Sequence, residues 1–232
     1  MSVARDHILG GIRRALHRDR LPDDVARALD ERVTAHARNL VPARAAALDH
    51  AGRVELFVAM AEEVQTTVAR VASPDSVPDE IVRYLAAENL PAELVMAPDP
   101  DIAAIPWDRR PLLRTRAGRA EAGDAVSLTP CLAAVAETGT LMLVSGAATP
   151  TTLNFLPDTH IVVVREDQVV AGYEDGWDLV RARGTGMLPR TVNFITGPSR
   201  TGDIEQRIEL GAHGPRRLHV VLIGGDLPPD HA

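Results

Sequence analysis

A chain of 232 residues, 45% of them hydrophobic, is long enough to bury a sizeable core as one large domain or as a domain with a smaller appendage. Its net charge of −7 and pI of about 5.6 repel nucleic acid and anionic lipid, and because all 25 basic residues are arginine there is no lysine for a Schiff base or a P-loop. A lone cysteine, Cys131, excludes an intrachain disulfide, a CxxC metal site and an iron–sulfur cluster built from four of the chain's own thiolates. The eight histidines form no HExxH or HxH pair, so no metal site is expected. The most apolar runs, LMLVSGAA and HVVLIGG, fall well short of the ~20 residues of a spanning helix. The N-terminus, MSVARDHILGGIRRAL, carries charges where a signal peptide has its apolar centre, which points to a cytoplasmic protein.

The first third reads as helical. Ile8, Ile12 and Leu16 recur four apart in ARDHILGGIRRALHR, and Val25, Leu29 and Val33 do the same after the helix-start signal of Pro22 and two acids. A third helix is expected across VPARAAALDHAGRVELFVAMAEEV, with Val54, Phe57, Val58 and Ala61 as its buried stripe. From about residue 66 strands alternate with helices: TTVARVA is a strand, SVPDEIVRYLAAENL a helix capped by Ser76 or Asp79, and AELVMAP a strand. Beyond a Pro- and Arg-rich loop come AAVAETGTLMLVSG, HIVVVRED, QVVAGYEDGWDLVRARG, RTVNFITG, a helix in DIEQRIELG, and RRLHVVLIGG. This alternation predicts an α/β sandwich with a mainly parallel sheet. The domain boundaries expected are 1–50 for an N-terminal helical segment and 51–232 for the α/β domain.

Three stretches carry chemistry. In FITGPSRTGDIE, Gly197 to Gly202 has the GxxxxG spacing of a phosphate loop, but Asp203 occupies the lysine position and would repel phosphate. Either Ser199, Thr201, Arg200 and free amides at a helix start hold a small anion, or Pro198 fixes a turn, Ser199 or Thr201 caps the helix, and Arg200 pairs with Asp203 or Glu205. In AETGTLMLV, Glu137 and Thr138 precede Gly139 between apolar runs, placing the carboxylate at a sharp turn at a strand end, as a base or nucleophile or as a solvent-facing hairpin residue. In GAHGPRRLHVVLI, His213 lies in a glycine-flanked loop from which it can reach a site, whereas His219 alternates with apolar neighbours and reads as a sheet-face residue.

Together, TGPSRTGDIE, GAHGP with its LHVVLI strand, and AETGT resemble the lactate-utilization protein C family, whose domain is called the LUD domain. The N-terminal ARDHILGGIRRAL and, more loosely, NFLPDTHIVVV extend the resemblance over most of the chain. Residue by residue it points to Glu137, Thr138, Gly139 and Thr140, then to Gly197, Pro198, Ser199, Arg200, Thr201, Asp203 and Glu205, and to His213, Gly214 and Pro215. Glu137 and His213 are the candidate catalytic residues, and Thr138, Gly139, Thr140, Gly197, Ser199, Arg200, Thr201, Asp203 and Gly214 the candidate substrate- or anion-binding ones. Gly202 departs from the alanine usual in the family.

The resemblance implies a three-layer α/β sandwich similar to the sugar-phosphate isomerase and CoA-transferase group, preceded by N-terminal helices. It implies a part in oxidising L-lactate to pyruvate beside iron–sulfur partner proteins, with a small anionic substrate and no cofactor in this chain. Two other functions compete: a stand-alone small-molecule enzyme of that fold using Glu137, and a structural or regulatory binding module. The lactate role and the stand-alone enzyme predict that the Glu137 turn, the Ser199 loop and His213 converge on one cleft; the binding module predicts no pocket between them.

Overall fold

The computed structural model describes residues 3–17, 21–38, 42–184, 188–204 and 207–224, with the backbone alone described at 202–204 and 207–210. The chain divides into two compact units, Met1–Leu40 and Val41–Ala232. The first contains α1 (Val3–Ala15) and α2 (Asp23–Ala35). Asp23 and Asp24 occupy the first turn of α2, where the helix dipole favours acids, directly after Pro22.

The second unit opens with a departure from the expected third helix. That stretch splits into a single turn, α3 (Ala43–Ala46), and a longer helix, α4 (His50–Glu63). Asp49 causes the break: its Oδ1 accepts a hydrogen bond from the Gly52 amide at 2.8 Å, an N-cap that fixes where α4 begins. Val54, Phe57 and Ala61 are buried along the expected stripe, with Val58 partly covered.

Strands and helices then alternate: β1 (Thr67–Val71), α5 (Val77–Ala87), β2 (Glu93–Met96), α6 (Pro100–Ala103), β3 (Arg114–Ala117) and β4 (Val126–Pro130). Neither Ser76 nor Asp79 caps α5 with its side chain; a 3-10 turn at Pro74–Ser76 leads into the helix instead. The chain continues through a hairpin of β5 (Ala133–Val135) and β6 (Thr140–Val144), then α7 (Thr152–Phe155), β7 (Thr159–Arg165), β8 (Val169–Val170), α8 (Tyr173–Ala182) and β9 (Val192–Ile195). The last strands among the described residues are β10 (Arg200–Ile204), β11 (Arg207–Leu210) and β12 (Arg217–Ile223).

Six strands form one sheet in the order β1-β12-β7-β4-β2-β3, every neighbouring pair parallel. A parallel sheet is covered on both faces, which is why β7 and β12 read as near-continuous apolar runs. Val162, Val164, Leu218, Val220 and Leu222 face α4, while Ile161, Val163, Val221 and Ile223 face α5 with its Ile81, Tyr84 and Leu85. The α/β sandwich expected from the sequence is therefore present, with helices on both sides of the parallel sheet. A second sheet, β8-β5-β6-β9, lies on the α4 side. Its Ala134, Leu141 and Leu143 face α4, and Ala133, Val135 and Met142 pack toward Val180 of α8. His219 is the sheet-face residue expected: it is buried, stacked on Tyr84 at 3.9 Å, with Nδ1 2.8 Å from Thr67 Oγ1.

The largest correction concerns residues 200–210. The helix expected in DIEQRIELG is absent; β10 and β11 pair antiparallel as a two-stranded ribbon, with a register shift between Thr201 and Ile204. Thr201, Ile204 and Ile208 are β-branched and Gly202 is a poor helix former, so local preference favours strands. The Gly211 amide closes the base of the ribbon by donating to the Ser199 carbonyl at 3.0 Å. There is consequently no helix start at Ser199–Thr201 to receive an anion. Among the described residues no helix is long and apolar enough to cross a membrane.

Candidate ligand-binding site

A cleft of about 510 Å³ opens beside the second residues of β7 and β12, His160 and Leu218, which pair in register. It therefore lies toward the N-terminal ends of these parallel strands, whereas open α/β sheets usually bind ligands beyond their C-terminal ends. Its walls come from the end of α4, from α7, from the segment after β9 and from the loop before β12.

The segment after β9 is fixed against the end of α4. Gly197 has φ +75°, and a β-carbon there would lie within 3 Å of the Val64 carbonyl oxygen and 3.2 Å from Val64 Cβ, so glycine lets the two backbones meet. Next to it the exposed Arg200 donates from Nη2 to the same Val64 carbonyl. The Ser199 amide donates to the Pro215 carbonyl at 2.8 Å, and the His213 amide donates to Ser199 Oγ at 3.2 Å. These two amides, which could have cradled an anion, thus serve the loops' own mutual docking. The Ser199 hydroxyl proton and the other donors of the Arg200 guanidinium are among the groups that can meet a ligand.

The deepest polar group is His160, fully buried and bordering the cleft. Its Nε2 lies 2.8 Å from Thr129 Oγ1 on β4, and its Nδ1 has no hydrogen-bond partner among the described residues. Burial pushes its pKa down to about 3, so the ring is neutral at physiological pH. Asn154 of α7, also buried, borders the same space. Neither residue stands out in the sequence, because His160 is embedded in the strand THIVVV and Asn154 in the loosely matching NFLPDTHI. The only available signal was a polar residue on the covered face of a parallel strand, where an unsatisfied polar group calls for a partner.

Glu137 and its neighbours occupy the β5–β6 hairpin turn, outside the lining of the cleft. Glu137 is half-buried, and a β-carbon on Gly172 would lie 3.6 Å from its Oε2. Gly172 is the N-cap of α8, so the carboxylate stands at the positive end of that helix. Glu137→Gln is therefore expected to cost about 0.3–1 kcal/mol of stability, measured by urea denaturation at neutral pH. Beside it Thr138, Thr140 and Tyr173 form a closed triangle of hydroxyls at 2.7, 2.9 and 2.9 Å, and Thr140 Oγ1 also lies 2.7 Å from Thr196 Oγ1 on the cleft wall. Thr140 is fully buried at the centre of this network. Thr140→Val keeps the shape, strips three hydroxyls of a partner, and is expected to destabilise by about 1–3 kcal/mol in the same measurement.

The structure thus brings Gly197, Ser199, Arg200, His213 and Gly214 together around one cleft and leaves Glu137, Thr138, Gly139, Thr140 and Thr201 outside its lining, joined to it through the Thr140–Thr196 contact. The side chain of Asp203 and all of Glu205 lie outside the described residues. No cluster of three or more His, Cys, Asp or Glu suited to a metal ion occurs among the described residues.

A Lactate utilization protein C from Deinococcus radiodurans is 44% identical over 119 residues, which cover 50% of this chain and 53% of that protein. The protein of the same name from Bacillus subtilis is 34% identical over 92 residues, 38% of each chain. The chain therefore spans about half the length of the first of these curated relatives and less of the second. The crystal structure of a DUF162 family protein from Deinococcus radiodurans matches with a TM-score of 0.58 at 28% identity, covering 76% of this chain and 99% of that one. The sequence model of the LUD domain matches residues 54–223. That span runs from within α4 to the last residue of β12 and takes in every strand of the parallel sheet and every wall of the cleft: the chain belongs to the LUD domain family.

Proposed function

We propose that this chain is a non-redox member of a lactate-utilization system, binding a small molecule in the cleft while iron–sulfur partner proteins carry the electrons. The observation that supports this reading is the likeness to proteins named Lactate utilization protein C, over 119 residues for one and 92 for another, in a chain of the LUD domain family. Cys131 fits it as well: this buried thiol, pushed up to about 12 by burial, stays protonated and supplies neither a nucleophile nor a set of cluster ligands. The test is to delete the gene in a strain that grows on L-lactate, and to add the purified chain to its candidate iron–sulfur partners in a lactate-dependent dye-reduction assay. Growth is expected to fail on deletion and dye reduction to require the chain. Intact growth together with no association with such partners would sink the proposal.

A second reading, a stand-alone enzyme of the CoA-transferase and sugar-phosphate isomerase type using Glu137, draws on the hydroxyl chain from Thr138 through Thr140 to Thr196. It requires that Glu137→Gln abolish an activity in a protein that remains folded.

A further inference from the structure

Helices α1 and α2 lie outside the span matched by the LUD domain model, and neither buries a residue. Each is 13 residues long, a length at which an isolated helix is marginal in water and needs its apolar stripe covered. The stripes are bare. Ile8 and Ile12 of α1 with Leu16 just after it, and Val25, Leu29 and Val33 of α2, are 40–69% exposed, so the two helices of one chain do not bury them against each other.

The two stripes share one template with opposite charge. Residue for residue, Ile8 corresponds to Val25, Ile12 to Leu29 and Leu16 to Val33, each set spaced four apart. The residue after the middle one is turned about 100° from it, onto the edge of the stripe. That residue is Arg13 in α1 and Asp30 in α2, both exposed. When two helices pack antiparallel, corresponding edges meet. With Ile12 opposite Leu29, Ile8 then meets Val33, Leu16 meets Val25, and Arg13 meets Asp30. Pairing α1 with another α1 would instead set Arg13 against Arg13, and α2 with α2 would set Asp30 against Asp30.

This is the pattern of a self-complementary surface, in which each of two identical chains offers both halves of the contact. The six stripe residues of two chains together expose on the order of 1,000 Å², the area at which a specific protein interface holds. An anionic lipid surface fits less well, because α2 carries Asp23, Asp24, Asp30 and Glu31 against only Arg27 and Arg32.

We propose that α1 of one chain packs antiparallel against α2 of a second copy, twice about a two-fold axis, joining two chains through four helices that lie outside the LUD domain. Ile12 meets Leu29 and Arg13 meets Asp30 in both directions. The cleft and the link to lactate play no part in this contact, so either can fail without the other.

The test is sedimentation velocity of the full chain from about 1 to 100 µM, a range that populates an interface of this size. The expected species has twice the 24.9 kDa mass of one chain. Ile12→Asp and Leu29→Asp are each expected to weaken the dimer by about a hundredfold or more, because each places a carboxylate in the apolar seam. Neither position is buried in the single chain, so both variants are expected to stay folded by circular dichroism. Arg13→Glu turns two opposite pairs into like pairs and is expected to weaken the dimer about tenfold. Adding Asp30→Arg to it is expected to restore the affinity to within about threefold of the parent. A monomer throughout the range, whether or not it floats with phosphatidylserine vesicles, overturns the proposal. So does a dimer as tight in both aspartate variants as in the parent, an Arg13→Glu dimer as tight as the parent's, or an Arg13→Glu loss that Asp30→Arg does not repair.

Discussion

Gly139→Ala is expected to lower the midpoint of thermal unfolding by roughly 5–20 °C, the effect of about 2–6 kcal/mol on a protein of this size. Two costs add. Gly139 has φ +63°, a left-handed conformation that costs a residue with a β-carbon about 1–3 kcal/mol. The new methyl would also lie 2.6 Å from the Met60 carbonyl carbon, 2.7 Å from Ala61 Cα and closer still to the Ala61 amide. These are backbone atoms of α4, which cannot swing aside like the tip of a side chain, so the hairpin or the helix must move, at a further cost of about 1–3 kcal/mol. Gly214→Ala is the control: its methyl would meet Phe155 and Ser199 at 3.6 Å, an ordinary contact, and its stability is expected to stay within about 0.5 kcal/mol of the parent. Circular dichroism melts of the two variants side by side check both statements.

The position of Gly139 at a turn was legible in the sequence, since glycine between two apolar runs marks one. What the turn abuts was not, because α4 is separated from it by more than 70 residues. The parallel sheet was legible for a similar reason: runs such as HIVVV and LHVVLI are apolar without alternation, as strands covered on both faces must be. The ribbon at 200–210 was misread because a spacing of four, Ile204 to Ile208, fits a helical period of 3.6 and is also an even step along a strand. The cleft residues fall into two groups on the same logic. Ser199, His213 and Gly214 sit in loops rich in turn formers and Arg200 directly after one, so they announce themselves, whereas His160 and Asn154 reach the site only through the packing of elements remote in sequence.

The second large effect is on pH. Between pH 6.5 and 4.5 the protein is expected to lose about 2 kcal/mol of stability through His160 alone. Its pKa falls from an ordinary 6.5 to about 3 on folding, because burial disfavours the charged ring. Below pH 6.5 the unfolded chain takes up a proton at this position that the folded protein refuses. Stability from the neutral, buried ring is thus complete above pH 6.5 and is lost at about 1.4 kcal/mol per pH unit as pH falls toward 3. Asp79, Glu80 and Asp124, all held below their ordinary values of 3.8, 4.5 and 3.8, add to the loss as pH falls below about 5.5, so the part of the window above that isolates the histidine from them. For Glu80 burial alone would raise the value, and His219 and Arg83 outweigh it. Urea denaturation at half-unit steps of pH should show this slope in the parent. In His160→Gln, which retains a group able to reach Thr129 but does not titrate, the slope should be shallower by about 1.4 kcal/mol per pH unit. An unchanged slope would mean that His160 is not the group responsible.

The strand order has a consequence for how the protein is made. β12, the last strand among the described residues, lies between β1 and β7, so among those residues the first strand of the sheet has no partner until β12 exists. During synthesis β1 must wait for about 150 further residues, which at 5–20 residues per second is roughly 10–30 s with an apolar edge uncovered. The parallel sheet closes only when residue 223 has left the ribosome, and a chain cut short before Arg217 would keep two strand edges open to pairing with its neighbours.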